Sequence, residues 1–156
     1  MKKLPYREGT WFAVPLEGGG FGTGIVARSG PRGRILLAYF FGPKRSSVPA
    51  LAEVESLKAQ DAVLAIKISD LGLFKGMWPI IGNAEVWQRS DWPMPVFVRR
   101  EGRYAWLVHY ADDDPNRVEA EEPAPPNFEA HLRIDSIYGF GAAEFHLTKA
   151  LTAEPN

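Results

Sequence analysis

There is no cysteine in this sequence of 156 residues. Disulfides, thiolate metal sites and a cysteine nucleophile are therefore excluded, and a reducing compartment is a natural setting. No run approaches the ~20 apolar residues that a membrane-spanning helix needs. No Asn-x-Ser/Thr acceptor for glycans occurs. The start, Met1-Lys2-Lys3-Leu4-Pro5-Tyr6-Arg7-Glu8, is positive but has no apolar stretch behind it, so no secretory leader is expected and the cytoplasm is the expected location. An excess of one charge is lacking too. With 18 Lys and Arg against 19 Asp and Glu the formal net charge is -1. No global basic field points to nucleic acid or to an anionic membrane.

Histidine is scarce. His109, His131 and His146 stand alone, with no partner at metal-ligand spacing and no H-E-x-x-H. No serine lies in a nucleophile-elbow context. Asp61, Asp70 and Asp91 sit near apolar segments, where a lone acid usually makes an Asx turn or a helix cap. No catalytic set, metal site or cofactor is expected, and the chain reads as a non-enzyme.

What is present is glycine, proline and large aromatics: 15 Gly, 13 Pro and five Trp. Thr10–Leu16, Gly24–Arg28 and Arg34–Phe41 read as three meandering strands. The last is apolar at nearly every position, which places it centrally or buries both its faces. Gly42-Pro43 should stop it. Ser47–Leu57 is the best helix candidate, with Ser47 or Val48 ahead of a proline in the first turn and Leu51, Val54 and Leu57 on one face. Ala62–Ile68 returns to strand. Asp70–Gly82 has no clear period and reads as an irregular stretch packed by its large side chains. Pro95–Arg99 and Arg103–Tyr110 form a hairpin across Glu101-Gly102. Asp112–Asn116 is a turn, Arg117–Glu121 a returning strand exposed on one face, and Glu122–Asn127 a loop. Ala142–Leu151 fits strand or helix, and Thr152–Asn156 should fray. One domain with its core at about 8–151 is expected, of α+β class: a predominantly antiparallel twisted sheet or partly open barrel with one or two short helices.

Three motifs invite chemistry. In Gly18-Gly19-Gly20-Phe21-Gly22-Thr23-Gly24, Gly22-x-Gly24-x-x-Ala27 matches a loose dinucleotide fingerprint. Ser29-Gly30-Pro31 follows too soon for the helix whose N-terminus would hold pyrophosphate. A hairpin turn is the better reading. Its echo, Tyr138-Gly139-Phe140-Gly141, suggests that both sites need a backbone free of Cβ. Asp112-x-Asp114-x-Asn116 begins like a calcium loop, but Arg117 stands where glycine should and Pro123 where the bidentate glutamate should. The tract from Asp112 to Glu122 is the most polarised feature: Asp112, Asp113, Asp114, Glu119, Glu121 and Glu122 against Arg117 alone. It reads as a solvated hairpin or as a patch for a basic partner.

The ordered pieces Gly9–Leu16, Gly20–Gly24, Tyr39–Pro43, Gly72-Leu73, Trp78-Pro79-Ile80-Ile81-Gly82, Trp92-Pro93-Met94-Pro95 and Tyr138–Gly141 resemble the immunity protein 26 family of bacterial polymorphic toxin systems. The resemblance covers nearly the whole chain. It implies a mostly β, cytoplasmic, non-enzymatic protein that binds a cognate toxin domain and blocks it, by steric occlusion. The motif residues Trp11, Gly22, Gly24, Gly42, Pro43, Trp78, Pro79, Gly82, Trp92, Pro93, Gly139 and Gly141 then have structural roles, and the toxin-binding surface is the variable part. The acidic residues named above are the candidates for it. Many nuclease-blocking immunity proteins are strongly acidic; this chain is nearly neutral, which points away from a basic nuclease. The alternative is a small-ligand- or peptide-binding β domain with the tryptophans from Trp78 to Trp92 lining an open groove.

Overall fold

The computed structural model describes residues 3–31, 33–126 and 133–152. His131, part of the loop ending at Asn127, and the expected fraying of 153–156 lie outside them. The strands are β1 Thr10–Pro15, β2 Phe21–Ser29, β3 Ile35–Arg45, β4 Leu64–Ser69, β5 Ile80–Asn83, β6 Phe97–Glu101, β7 Tyr104–Ala111, β8 Asp114–Pro123, β9 Arg133–Ile134 and β10 Ile137–Tyr138. The helices are α1 Leu51–Val54, α2 Leu71–Phe74 and α3 Phe140–Thr152. The class is the expected α+β, mostly antiparallel, in two open sheets with, among the described residues, three α-helices rather than one or two. The first sheet has the order β10-β4-β3-β2-β1-β5 and the second β8-β7-β6-β9.

The first sheet is central because both of its faces are apolar. Strand alternation sends Phe12, Val14, Val26, Leu36, Ala38, Phe40, Ile66 and Ile68 to one side, where Leu73, Trp78, Ala143 and Leu147 cover them. Trp11, Ile25, Ala27, Leu37, Tyr39 and Phe41 point to the other, against Val54, Trp92, Phe97 and Val108. Fully burying one such side chain contributes roughly 1.5–3 kcal/mol. Trp78 stacks on Phe12 with ring centroids 5.5 Å apart, and its Nε1 donates to Glu144 on α3 at 2.9 Å. Trp92 meets Trp11 edge-on at 6.0 Å and stacks on Trp87 at 6.2 Å.

Several boundaries differ from expectation. Gly42-Pro43 does not stop β3, which continues to Arg45 opposite Phe21. Beyond Phe40 the strand has left β4 behind, and its register with β2 shifts between Phe21 and Thr23, so Pro43 lies at an irregularity of the ladder, where proline is tolerated. The Ser47–Leu57 helix shrinks to the four residues of α1. Pro49 stays outside it, and Ala50 at the N-cap has no side chain to bond the first turn. The apolar face itself was well placed, since Val54 is buried and Leu51 and Leu57 pack beside it. The irregular stretch after Ser69 contains α2 and edge strand β5. The ambiguous C-terminal element is a helix.

The glycine run divides in two. Gly18, Gly19 and Gly20 form the turn with positive φ, while Gly22 and Gly24 lie inside β2. A Cβ on Gly22 would come within 2.6 Å of Leu147 of α3, and one on Gly24 within 2.6 Å of the Phe12 ring. Around Gly139 and Gly141 nothing lies within 4 Å of a Cβ position. The echo in sequence is therefore not an echo in structure: only the first copy needs to lack a side chain for space.

Segment 133–138 joins the sheets. β9 pairs in parallel with β6, and β10 in parallel with β4. Between them Asp135 accepts from Lys67 Nζ at 2.8 Å and from the Tyr110 hydroxyl at 2.5 Å. The Lys67 ammonium lies 3.6 Å from the Tyr110 ring centroid, a cation–π contact across the sheets. Burial pushes the Lys67 pKa down from its ordinary value, against the pull of Asp135. Burial first, and then the bond to Asp135, push the Tyr110 pKa up.

Candidate partner-binding surface

The acidic residues are carried by the turn after β7 and by β8. Asp114 and Pro115 touch the body of the protein, and from Asn116 to Pro123 every residue of β8 is exposed. The returning strand is thus exposed on both faces, not one. It also runs further than expected, because Pro123 belongs to it, opposite Trp106. Ala124 N–H donates to the Ala105 carbonyl at 2.9 Å. Successive residues address opposite edges of a strand, so the site of the absent Pro123 N–H faces outward and costs no ladder bond.

The ladder between β7 and β8 is regular only near its far end. Ala120 lies opposite His109, but Val118 lies opposite Tyr110, so Glu119 is an extra residue in a bulge. A second irregularity separates the Val118 and Asp114 pairings. Bulges kink a strand and re-aim its side chains.

The six carboxylates have different settings. Asp112 is held by Arg28 of β2, whose side chain is only 1% exposed. Arg28 Nε donates to the Asp112 carbonyl at 2.6 Å and Nη2 to Asp112 Oδ1 at 2.8 Å. Asp113 pairs with Arg117 at 2.9 Å, and Asp114 Oδ1 accepts the Asn116 N–H at 2.9 Å. Glu121 pairs with Arg99, whose guanidinium is pushed up chiefly by that bond. Glu122 lies 3.1 Å from His109 Nε2. Glu119 has no side-chain partner among the described residues. The structure therefore brings these residues onto the turn and the exposed strand that follows it, with three of the six, Asp112, Asp113 and Glu121, paired to an arginine. Arg28 was not visible in the sequence as their anchor, because it lies 84 positions away from Asp112.

The tryptophans do not line one groove. Trp78 is buried on the helix-covered side of the first sheet and Trp92 on the opposite side. A cleft of about 670 Å³ does open beside Trp87 and Trp92, with Lys58, Asp91 and exposed Val86 at its rim. Of the isolated acids, Asp70 is buried and accepts from the Tyr6 hydroxyl at 2.6 Å and from the Arg34 N–H at 3.1 Å. Asp61 caps a short 3-10 turn through the Lys58 N–H at 2.9 Å. His146 packs edge-on to Tyr138 at 5.0 Å. Among the described residues no group of three or more His, Cys, Asp or Glu is placed to hold a metal ion.

Pro79, Pro93, Gly82 and Gly42 of the motifs sit where elements meet. The Pro79 carbonyl accepts the Ala13 N–H at 2.8 Å, and Pro93 O accepts the Tyr39 hydroxyl. A Cβ on Gly82 would lie 3.2 Å from Leu51, and one on Gly42 2.7 Å from Leu151. The family model described as Immunity protein 26 matches residues 7–103. The chain belongs to the Immunity protein 26 family. No curated protein and no solved structure matches it. The Immunity protein 26 match spans the whole of β1 to β6 and ends one residue before β7. The acidic turn and β8 lie beyond it.

Proposed function

We propose that the protein neutralises a cognate toxin domain in the producing bacterium by covering its active surface, and that β8 with the turn before it forms part of the contact. Membership of the Immunity protein 26 family carries this reading. The exposure of β8 on both faces, outside the matched segment, supports its second half. An interface of ordinary size takes about 800 Å² from each partner, under a tenth of the 9132 Å² surface. One projecting strand and its neighbours can supply that area. Carboxylates at such a rim act mainly on encounter rate and on choice of partner.

The test uses the cognate toxin domain. Asp113→Lys with Glu122→Lys should lower the association rate about tenfold at low salt and flatten its salt dependence. Asp112 is left in place because it anchors Arg28. Association kinetics that match the parent protein would remove β8 from the interface.

A second reading, a peptide- or small-ligand-binding domain, is favoured by the cleft beside Trp87 and Trp92. The two readings separate on Trp87→Ala. Loss of inhibition with that variant would move the contact to the cleft.

A further inference from the structure

The segment 133–138 that joins the sheets is attached by few bonds. β9 and β10 each offer two residues, to β6 and to β4. Little apolar surface holds it down, since Ile134 is 61% and Ile137 46% exposed. Asp135, between them, turns inward instead. Its Oδ1 accepts from Lys67 Nζ at 2.8 Å and from the Tyr110 hydroxyl at 2.5 Å, and its N–H donates to the Val98 carbonyl at 2.7 Å. The side chains of Lys67 and Asp135 are only 4% and 13% exposed. The attachment is thus polar and concentrated at one residue.

Lys67 points the same way. It stands opposite Leu37, on the face of the first sheet that packs under the second. Its ammonium lies 5.3 Å from the Phe97 ring centroid and 3.6 Å from that of Tyr110. A strand covered for good has no use for a charge on its buried face. An edge strand has one, because an inward-pointing lysine discourages other strands from adding there. With β10 lifted away, β4 is the outermost strand of the first sheet among the described residues. The lysine stem can then carry its charge past the open edge into water. With the segment down, Asp135 matches that charge. A pivot is present as well. Tyr138 packs on the core and edge-on to His146 of α3 at 5.0 Å, while Gly139 after it is exposed, with nothing within 4 Å of a Cβ position. α3 itself stays seated through Ala143 and Leu147.

We propose that residues 134–137 form a reversible latch: they lift from both sheets while the body and α3 stay folded, and Lys67 with Asp135 is the clasp that returns them. Lifted, the latch leaves the edges of β4 and β6 unpaired. Native-state hydrogen exchange on the whole chain tests this, because a local opening exchanges its amides faster than global unfolding does and with little dependence on urea. In the wild-type protein the Asp135 amide should exchange about a hundredfold or more faster than the amides that bond β2 to β3, and faster than the Leu147 amide. Asp135→Asn keeps the shape and removes the charge. It should speed exchange at position 135 by a further tenfold or about that, with β2 and β3 unchanged. In a Lys67→Met background the same change should have an effect of about threefold at most, since the two residues act as a pair. Equal rates and equal urea dependence for Asp135 and the β2–β3 amides overturn the latch, and that measurement needs no variant. Unchanged exchange in Asp135→Asn, or a tenfold effect that persists with Lys67→Met, overturns the clasp.

Discussion

β3 and β8 are both long strands, and they could hardly be set more differently. From Leu36 to Phe41 every side chain of β3 is buried, whichever face it points to. From Asn116 onward no side chain of β8 is. β3 has β2 and β4 on its two edges, whereas β8 has one neighbour and a bulged ladder. The difference separates two tasks. Residues in β3 answer to the packing on both sides, where a change of one methylene is felt. Residues in β8 answer to solvent and to whatever docks there, so the strand can change without disturbing the core.

The contrast is broken most directly by truncating one apolar side chain in each region. Trp78→Ala removes the ring stacked on Phe12 and the bond to Glu144, and should cost about 3–5 kcal/mol in urea unfolding. Val118→Ala on β8 should stay within about 0.5 kcal/mol. Equal costs would mean that β8 is part of the core.

A smaller effect is read from alkaline pH. The Tyr39 hydroxyl is buried under the second sheet and its pKa is pushed up to about 12, with burial as the main cause. Burial and then Asp70 push Tyr6 up as well. A raised tyrosine pKa means that the folded state holds its proton longer than the unfolded chain. The stability it contributes is complete below about pH 10 and is lost as pH rises towards the folded value. Denaturation at pH 9 and pH 11 should therefore show a loss of about 1 kcal/mol attributable to Tyr39, absent in Tyr39→Phe. Lys67, with its lowered pKa, acts in the opposite sense and gains stability as pH rises towards its ordinary value. An unchanged alkaline slope in Tyr39→Phe would place the titration elsewhere.

A further comparison sets the two glycine motifs side by side. Gly24→Ala sets a methyl against the Phe12 ring and should cost about 1–3 kcal/mol. Gly141→Ala, with open space around it in the first turn of α3, should be neutral or stabilise by up to about 1 kcal/mol. Thermal melts of the pair decide whether the resemblance between these motifs is structural.

Much of the fold was legible because its signals are local. Alternating strand formers and glycine turns mark β1 to β3, and Glu101-Gly102 marks the hairpin of β6 and β7. The continuous apolar run of β3 declared a strand covered on both faces. What escaped depends on distant partners. β9 and β10 are two-residue strands whose pairing is written in β6 and β4, not in themselves. The shortness of α1 follows from the lack of a capping side chain at Ala50, against an apolar spacing that suited a longer helix. The acidic tract was visible as charge, but its anchoring by Arg28 and its bulge at Glu119 required the two sheets to be in place.

The stitching of both sheets by residues 133–138 has a consequence for the order of events during synthesis. The meander of β1 to β3 has near-neighbour contacts and can form early, whereas pairings of β10 with β4 and β9 with β6 close long loops and come slowly. Neither sheet gains its last strand, and α3 cannot seat on Gly22, until residues 133–152 have left the ribosome. During translation the molecule therefore holds its strongest core half uncovered, and the strand at its acidic rim is made before the strap that fixes the sheet beneath it.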